Sequence, residues 1–499
     1  MTAPSAPPAR LDHAAIRRIF IGLMLAMFLS ALDQTIVATA LATIGRAYAN
    51  VENLTWVVTA YLLAATVVTP LYGKLSDVYG RRRVLLTGIA IFIVGSVACA
   101  LSPSMPALIA SRAIQGLGGG GLIAMSQTIV GDAVSPRERG RYQGYFGAVF
   151  AVSSIAGPVL GGVFAEHLHW SFIFWINVPL GLLALGITGR ALKALPRHER
   201  PHQIDFHGAA LMVTATIALL LALNWGGTRY PWSSAQILGL LGAAVALFAL
   251  FIVRIATAAE PFVPLSIMRN RVVAAAIGCA CLAYGTMIAL TIYAPVYFEV
   301  VLGQSASGAG LTLIPFMGGV VVGSTFGGQM MSRLKHYKRV GLVGLPLAAV
   351  ALMPLVVFPA QLSIVAVASF LLVAGAGMGT VFPITTVSVQ NAVLPWQLGT
   401  ATGVVNFVRS LASALLVALY GAFLFGGVGV EIGGAQGVTL EALAAAGHNA
   451  ASLAGHFRWI FAAAATCLSV SWLLLITMEE RALRADAPRM PDAVPAPAE

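Results

Sequence analysis

Asp33 stands in the stretch FLSALDQTIVATAL, within a run from Ile19 to Ile44 that is otherwise apolar, small or uncharged. An aspartate at the centre of a membrane helix costs on the order of 3 kcal/mol to insert, so a carboxylate there calls for a partner or a use. Arg112, in LIASRAIQGLGGGGL, can supply the partner. If both runs are helices, Asp33 lies roughly two-thirds of the way along its run and Arg112 roughly two turns in from the same side, which gives them a similar depth. Withdrawal from water favours the neutral acid, whereas a guanidinium close by favours the carboxylate. A group held between these pulls can take up and release a proton. The spacing leaves two readings open, a purely structural ion pair and a pair through which a proton moves.

Other stretches carry weaker chemistry. In GKLSDVYGRRRV (73–84), Gly73 and Gly80 permit a tight turn and close helix approach, Asp77 can meet a basic side chain or a helix N-terminus, and Arg81 to Arg83 suit an anionic lipid surface. IAGPVLGGVF (155–164) combines Gly157, Pro158, Gly161 and Gly162, a pattern that serves helix packing or a kinked, gating span equally well. Arg409 in NFVRSLAS has Asn406 three residues before it on one helical face, so it can bind a ligand or pair internally. Gln34, Trp56, Tyr61, Asn177 and Tyr293 are polar or aromatic positions that can line a cavity or serve as packing and interface residues. The nine histidines fall in tails, loops and helix ends without metal spacing, the four cysteines lie in apolar runs, and no phosphate-binding glycine loop occurs. No metal, cofactor or ATP-driven step is expected, and no set of groups converges as an enzyme's catalytic centre would.

These residues need a frame. With 499 residues, 59% of them hydrophobic, 9% charged and a mean hydropathy of +0.87, the chain has too few charges to cover a water-soluble surface and belongs in a bilayer. Fourteen apolar runs of about 20 residues read as spanning helices, the first near 17–43, the fifth near 141–166 and the last near 455–478. With the N-terminus in the cytoplasm, 24 of the 29 Lys and Arg fall in cytoplasmic segments, as the positive-inside rule requires, and both termini are then cytoplasmic. The net charge of +11 therefore reports topology rather than nucleic-acid binding. The hairpins 73–84 and 328–340 resemble each other, with Ser332 about where Asp77 stands in the first copy. Parallel repeats of spans 1 to 6 and 9 to 14, with spans 7 and 8 inserted, account for this. The expected division is a tail (1–16), a six-helix bundle (17–200), two inserted helices (201–260), a second six-helix bundle (261–478) and a tail (479–499), with an outer Gly/Ala-rich segment at 427–454 of no assigned role.

Together, LDQTIVATALATI, GKLSDVYGRRRVLLTG, RAIQGLGGGGL and GPVLGGVFAEHLHWSFIFWINVPLG, in that order, resemble the signature segments of the major facilitator superfamily, and within it the fourteen-span drug:proton antiporter branch. VYFEVVLGQSASGAGLTLIPF extends the likeness into the second half. The resemblance implies an all-α polytopic membrane protein that exports amphipathic small molecules by alternating access, driven by the proton gradient. It implies a proton-coupling pair of Asp33 and Arg112, a cytoplasmic gate of Gly73, Asp77, Gly80, Arg81 and Arg82 with Asp132 as partner, and an antiporter motif of Gly157, Pro158 and Gly161. The expected carrier is a monomer in the cell membrane in which proton and substrate exclude each other at Asp33. The alternative keeps the fold and moves one specific lipid, siderophore, metabolite or nutrient, outward or by symport. Two features depart from the branch: Ala38, Thr39, Ala40, Leu41 and Ala42 replace the usual Asn-Val-Ala-Leu-Pro, and no further acid lies at mid-depth, which argues against multivalent cations.

Overall fold

Inside a bilayer no water is present to satisfy backbone amides, so a chain this apolar must close its hydrogen bonds within helices. The computed structural model describes residues 13–50, 53–194, 205–227, 229–258, 260–431 and 450–483. Among these the only β-type pairing is an isolated bridge between Gly226 and Tyr230. Expectations for the N-terminal tail up to residue 12, most of the outer segment 427–454, and the tail beyond residue 483 fall outside the described residues.

Among the described residues, thirteen helices are long and apolar enough to cross a membrane. The remaining crossing, span 4, is built from two shorter helices, Met105–Gly119 and Leu122–Ala133, broken at Gly120 and Gly121. Span 12 is interrupted in the same way, at Thr380 between Ile364–Gly379 and Val381–Ala392. The others that matter for the site are span 1 (His13–Ala47), span 2 (Leu54–Tyr79), span 3 (Arg81–Ala100), span 5 (Pro136–His167), span 6 (Phe172–Trp175 and Asn177–Ala191), span 10 (Ala306–Arg333) and span 13 (Leu398–Glu431). Span 5 begins five residues before its expected start. Glu138 reaches back to accept from the Ser135 N–H at 3.2 Å and Oγ at 2.9 Å, so cap chemistry extends a helix past the point where hydropathy ends.

The architecture is two six-helix bundles and an inserted pair. Two buried apolar clusters are drawn from residues between Ile19 and Leu192, and a third from residues between Ala209 and Met478. Span 7 (Phe206–Trp225) packs on span 8 (Ala235–Thr257) and touches spans 2 and 13, one from each bundle. Asp205 ties the pair together, capping Gly208 N–H at 3.0 Å and accepting from Arg254 Nε at 3.0 Å.

The bundles meet through span 2 against span 13 and span 5 against span 10. Advancing spans 2 and 5 by eight gives 10 and 13, the relation expected of parallel repeats. Backbones approach closely enough that a Cβ on Gly73 would strike the Gly399 carbonyl, and one on Gly328 the carbonyl of Gly140. Hydrogen bonds between the bundles run from Asn406 towards the basic loops: Asn406 and Gln390 to Gln127, Asp77 to Gly399 and Thr400, Arg137 to Ser332. The molecule is closed at its basic end.

Candidate functional site

Asp33 and Arg112 are both completely buried, at 0% and 1% exposure. Arg112 Nη1 donates to Asp33 Oδ2 at 2.6 Å, while Oδ1 accepts from Gln115 Nε2 at 2.8 Å and Asn177 Nδ2 at 3.1 Å. Arg112 also donates to the Val57 carbonyl at 2.9 Å and to Gln115 Oε1 at 2.6 Å, and lies over the Tyr61 ring at 4.3 Å. Gln115 Nε2 completes the network by donating to Ser96 Oγ at 2.8 Å. Spans 1, 2, 3, 4 and 6 therefore converge on one carboxylate. Taking two charges out of water costs several kcal/mol per ion unless geometry is good and the remaining donors and acceptors are satisfied. Here the ion-pair geometry is good and both carboxylate oxygens are partnered, while Asn177 Oδ1 is buried without a hydrogen-bond partner among the described residues.

Next to the cluster, between the bundles, is a polar cavity of about 110 Å³ lined by Ser30 and Gln34 of span 1, by Thr66 of span 2, and by Tyr284, Asn406 and Arg409 across from them. Ser30 and Gln34 are one helical turn apart and share a face, whereas Asp33 is rotated away from it and is not in the cavity wall. The link is a pair of hydroxyls: Ser30 Oγ, in the wall, is 3.3 Å from the hydroxyl of Tyr61, whose ring carries Arg112. A molecule in this cavity thus does not touch Asp33, and the direct competition expected from sequence has no geometry in this conformation. The cavity is also smaller than the roughly 150 Å³ that holds one benzene, so it must widen to take a drug-sized cargo.

The basic hairpin forms a charge cluster at the closed end. Asp77 pairs with Arg81, whose Nε donates to Asp132 Oδ2 at 2.7 Å and whose Nη1 donates to Ser76 Oγ at 2.6 Å. The carboxylate of Asp77 also accepts from the N–H of Gly399 at 3.1 Å and from the N–H and hydroxyl of Thr400 at 2.7 and 2.6 Å. These are the free amides at the start of span 13, where helix geometry favours an anion. Gly80 turns the chain at φ +88°, a conformation suited to glycine, and Arg82 Nε ties the hairpin to the Gly189 carbonyl at 3.0 Å. In span 5, a Cβ on Gly157 or Gly161 would collide with Thr35, Ile36 or Thr39 of span 1. Pro158 is exposed.

Of the seven cavity candidates, the structure places Gln34, Asn406 and Arg409 in the wall. Tyr61 and Asn177 are buried in the Asp33 cluster instead. Tyr293 is buried and donates to the Val417 carbonyl at 2.8 Å, a tie within the second bundle. Trp56 packs edge to face on Trp225 of span 7. Sequence reasoning missed Gln115, Ser96, Ser30 and Tyr284. Gln115 sits three residues after Arg112 and Ser30 three before Asp33, one turn away in each case, so helical spacing could have found them; Ser96 and Tyr284 carry no local signal.

The Major Facilitator Superfamily model matches residues 23–417. Multidrug resistance protein 3 of Bacillus subtilis is 36% identical over 409 residues, covering 82% of this chain and 80% of the relative. The multidrug transporter protein MdtP of the same organism is 34% identical over 405 residues, 81% of this chain and 74% of the relative. Among solved structures, a bacterial homologue of the iron transporter ferroportin in an outward-facing state superposes with a TM-score of 0.63 at 11% identity, covering 94% of this chain and all of that one, which is a likeness of fold.

Proposed function

The chain belongs to the major facilitator superfamily, a multi-pass membrane transporter and not an enzyme, and from that premise we propose that it exports amphipathic small molecules in exchange for protons. The observation that carries the coupling is the buried Asp33–Arg112 pair set one layer behind the cavity between the bundles. A proton arriving at Asp33 removes the charge that holds Arg112. Losing one partner of a buried pair costs about 3–5 kcal/mol, comparable with the roughly 5.5 kcal/mol that turns a 1:99 equilibrium into 99:1. Protonation therefore favours another arrangement of spans 1, 2 and 4, and cargo and proton compete by stabilising different arrangements rather than by sharing one atom. Moving one charge through 100 mV supplies about 2.3 kcal/mol, enough for a cargo gradient of more than tenfold.

One named relative is a multidrug resistance protein and the other a multidrug transporter by title, which supports export of varied compounds over uptake of a single nutrient. The basic end, held shut here by Asp77 and Gly399, is the cytoplasmic side in this reading, the membrane is the cell membrane, and the carrier works as a monomer without a cofactor. In proteoliposomes, Asp33→Asn should abolish cargo movement driven by a pH gradient while keeping downhill exchange of cargo for cargo. Intact pH-driven transport in Asp33→Asn would remove the coupling assignment.

A further inference from the structure

The one charged side chain in the wall of the central cavity is Arg409. Its guanidinium lies 4.3 Å over the Tyr284 ring and donates through Nη2 to Asn406 Oδ1 at 2.6 Å. Among the described residues no carboxylate comes within 4 Å of it. The other candidate counter-charge, Asp33, is already matched by Arg112 and lies outside the wall. A guanidinium presents five N–H donors in a fork that matches a carboxylate, and Asn406 uses one side of it. The cavity is thus positive, with Leu62, Phe150 and Tyr284 as its apolar and aromatic surfaces.

We infer that the preferred cargo is an amphipathic organic anion, a carboxylate or sulfonate on an aromatic frame, bound through its charge at Arg409. This rests on the export reading and specifies its substrate class. It also moves the cargo's contact from Asp33, where the sequence resemblance put the competition with the proton, to Arg409. A cation placed in this cavity would meet a half-buried guanidinium with no carboxylate beside it among the described residues, and like charges repel. Exchanging one proton inward for one monovalent anion outward moves two positive charges in the same direction, so both the pH gradient and the membrane potential drive the cycle.

Three xanthene dyes test this, because fluorescein, rhodamine 110 and rhodamine 123 share one ring frame and are anionic, zwitterionic and cationic. With the full chain in detergent micelles, fluorescence anisotropy should show fluorescein binding at least about tenfold more tightly than rhodamine 123. Arg409→Gln should weaken fluorescein binding by about 10- to 100-fold, the loss expected for a charged hydrogen bond, without weakening rhodamine 123, and Arg409→Lys should keep the wild-type order. Equal or reversed order in the wild type, or an anion preference that survives Arg409→Gln, overturns the inference. Should Arg409→Gln not fold, the wild-type order decides. Proteoliposomes separate this from the export reading: fluorescein that binds in the expected order yet does not move down a proton gradient sinks export and leaves the charge assignment standing. Gradient-driven movement of rhodamine 123 in preference to fluorescein does the reverse.

Discussion

Replacing Asp77 by Asn should open the basic end. Within the hairpin, the contacts of Arg81 with Asp77, Ser76 and Asp132 join spans 2, 3 and 4 of one bundle and move with it, so they do not bear on the opening. The bonds that do are those from Asp77 to Gly399 N–H, Thr400 N–H and the Thr400 hydroxyl. An asparagine side chain keeps one oxygen for Gly399 but turns an NH₂ group towards the Thr400 amide, donor against donor. The hydroxyl can rotate and accept; the amide cannot. Losing one charged hydrogen bond and weakening a second costs about 3 kcal/mol, a factor of roughly 100 in the equilibrium, so a closed state favoured 99:1 would fall to about even. Spin labels at Tyr79→Cys and Leu394→Cys report this, since both side chains are about half exposed, at 51% and 48%, on opposite sides of the closed interface. The native cysteines are buried or half-buried and compete little for label. Electron–electron distance measurements should show a longer component growing from trace to near half in Asp77→Asn. If the distribution matches that of the parent pair, Asp77 does not hold the gate and the assignment fails.

Three further outcomes follow from the same contacts. Gly157→Val drives a side chain into Thr35 and Ile36, and overpacking of this kind costs about 1–3 kcal/mol. Its thermal midpoint in detergent should fall by several degrees while Gly162→Ala, where a Cβ meets nothing within 4 Å, stays at the wild-type value. Gln115→Leu removes a donor to Asp33 and an acceptor from Arg112, so it should lower stability by about 1–3 kcal/mol; an unchanged midpoint would show that the cluster is satisfied without it. At Asp205, burial alone would raise the carboxyl pKa, but the Gly208 N–H and Arg254 outweigh it and hold the group below the ordinary carboxylate value. Its contribution is therefore full above the unfolded value of about 3.9 and is lost as pH falls through the lower folded value. The stability gap between wild type and Asp205→Asn should be constant from pH 6 to 8 and close below about pH 4.

Much of the site could be read as a one-dimensional pattern. A lone acid in an apolar run, an arginine at matching depth, and glycine and aspartate spaced along a basic hairpin each violate what a lipid-facing helix tolerates, so the cost of the violation marks the position. The helix starts were less legible at span 5, where Arg137, Glu138 and Arg139 interrupt the apolar signal although they lie inside the helix. Tyr61 and Asn177 show the limit. Both have the composition of cavity-lining residues, yet they face the ion pair, because which side of a helix looks into the cleft depends on how five helices rotate against one another.

By itself the sequence determined that this chain crosses a bilayer fourteen times, that its basic loops share one side, and that Asp33 and Arg112 need an explanation, since insertion cost and charge asymmetry are properties of each segment alone. Only the tertiary structure decided that Asp33 lies behind the cavity wall while Arg409 lies within it. Depth along a helix follows from residue number, whereas azimuth around it is fixed by packing between spans far apart in the chain, and it is azimuth that sets which charge a cargo meets.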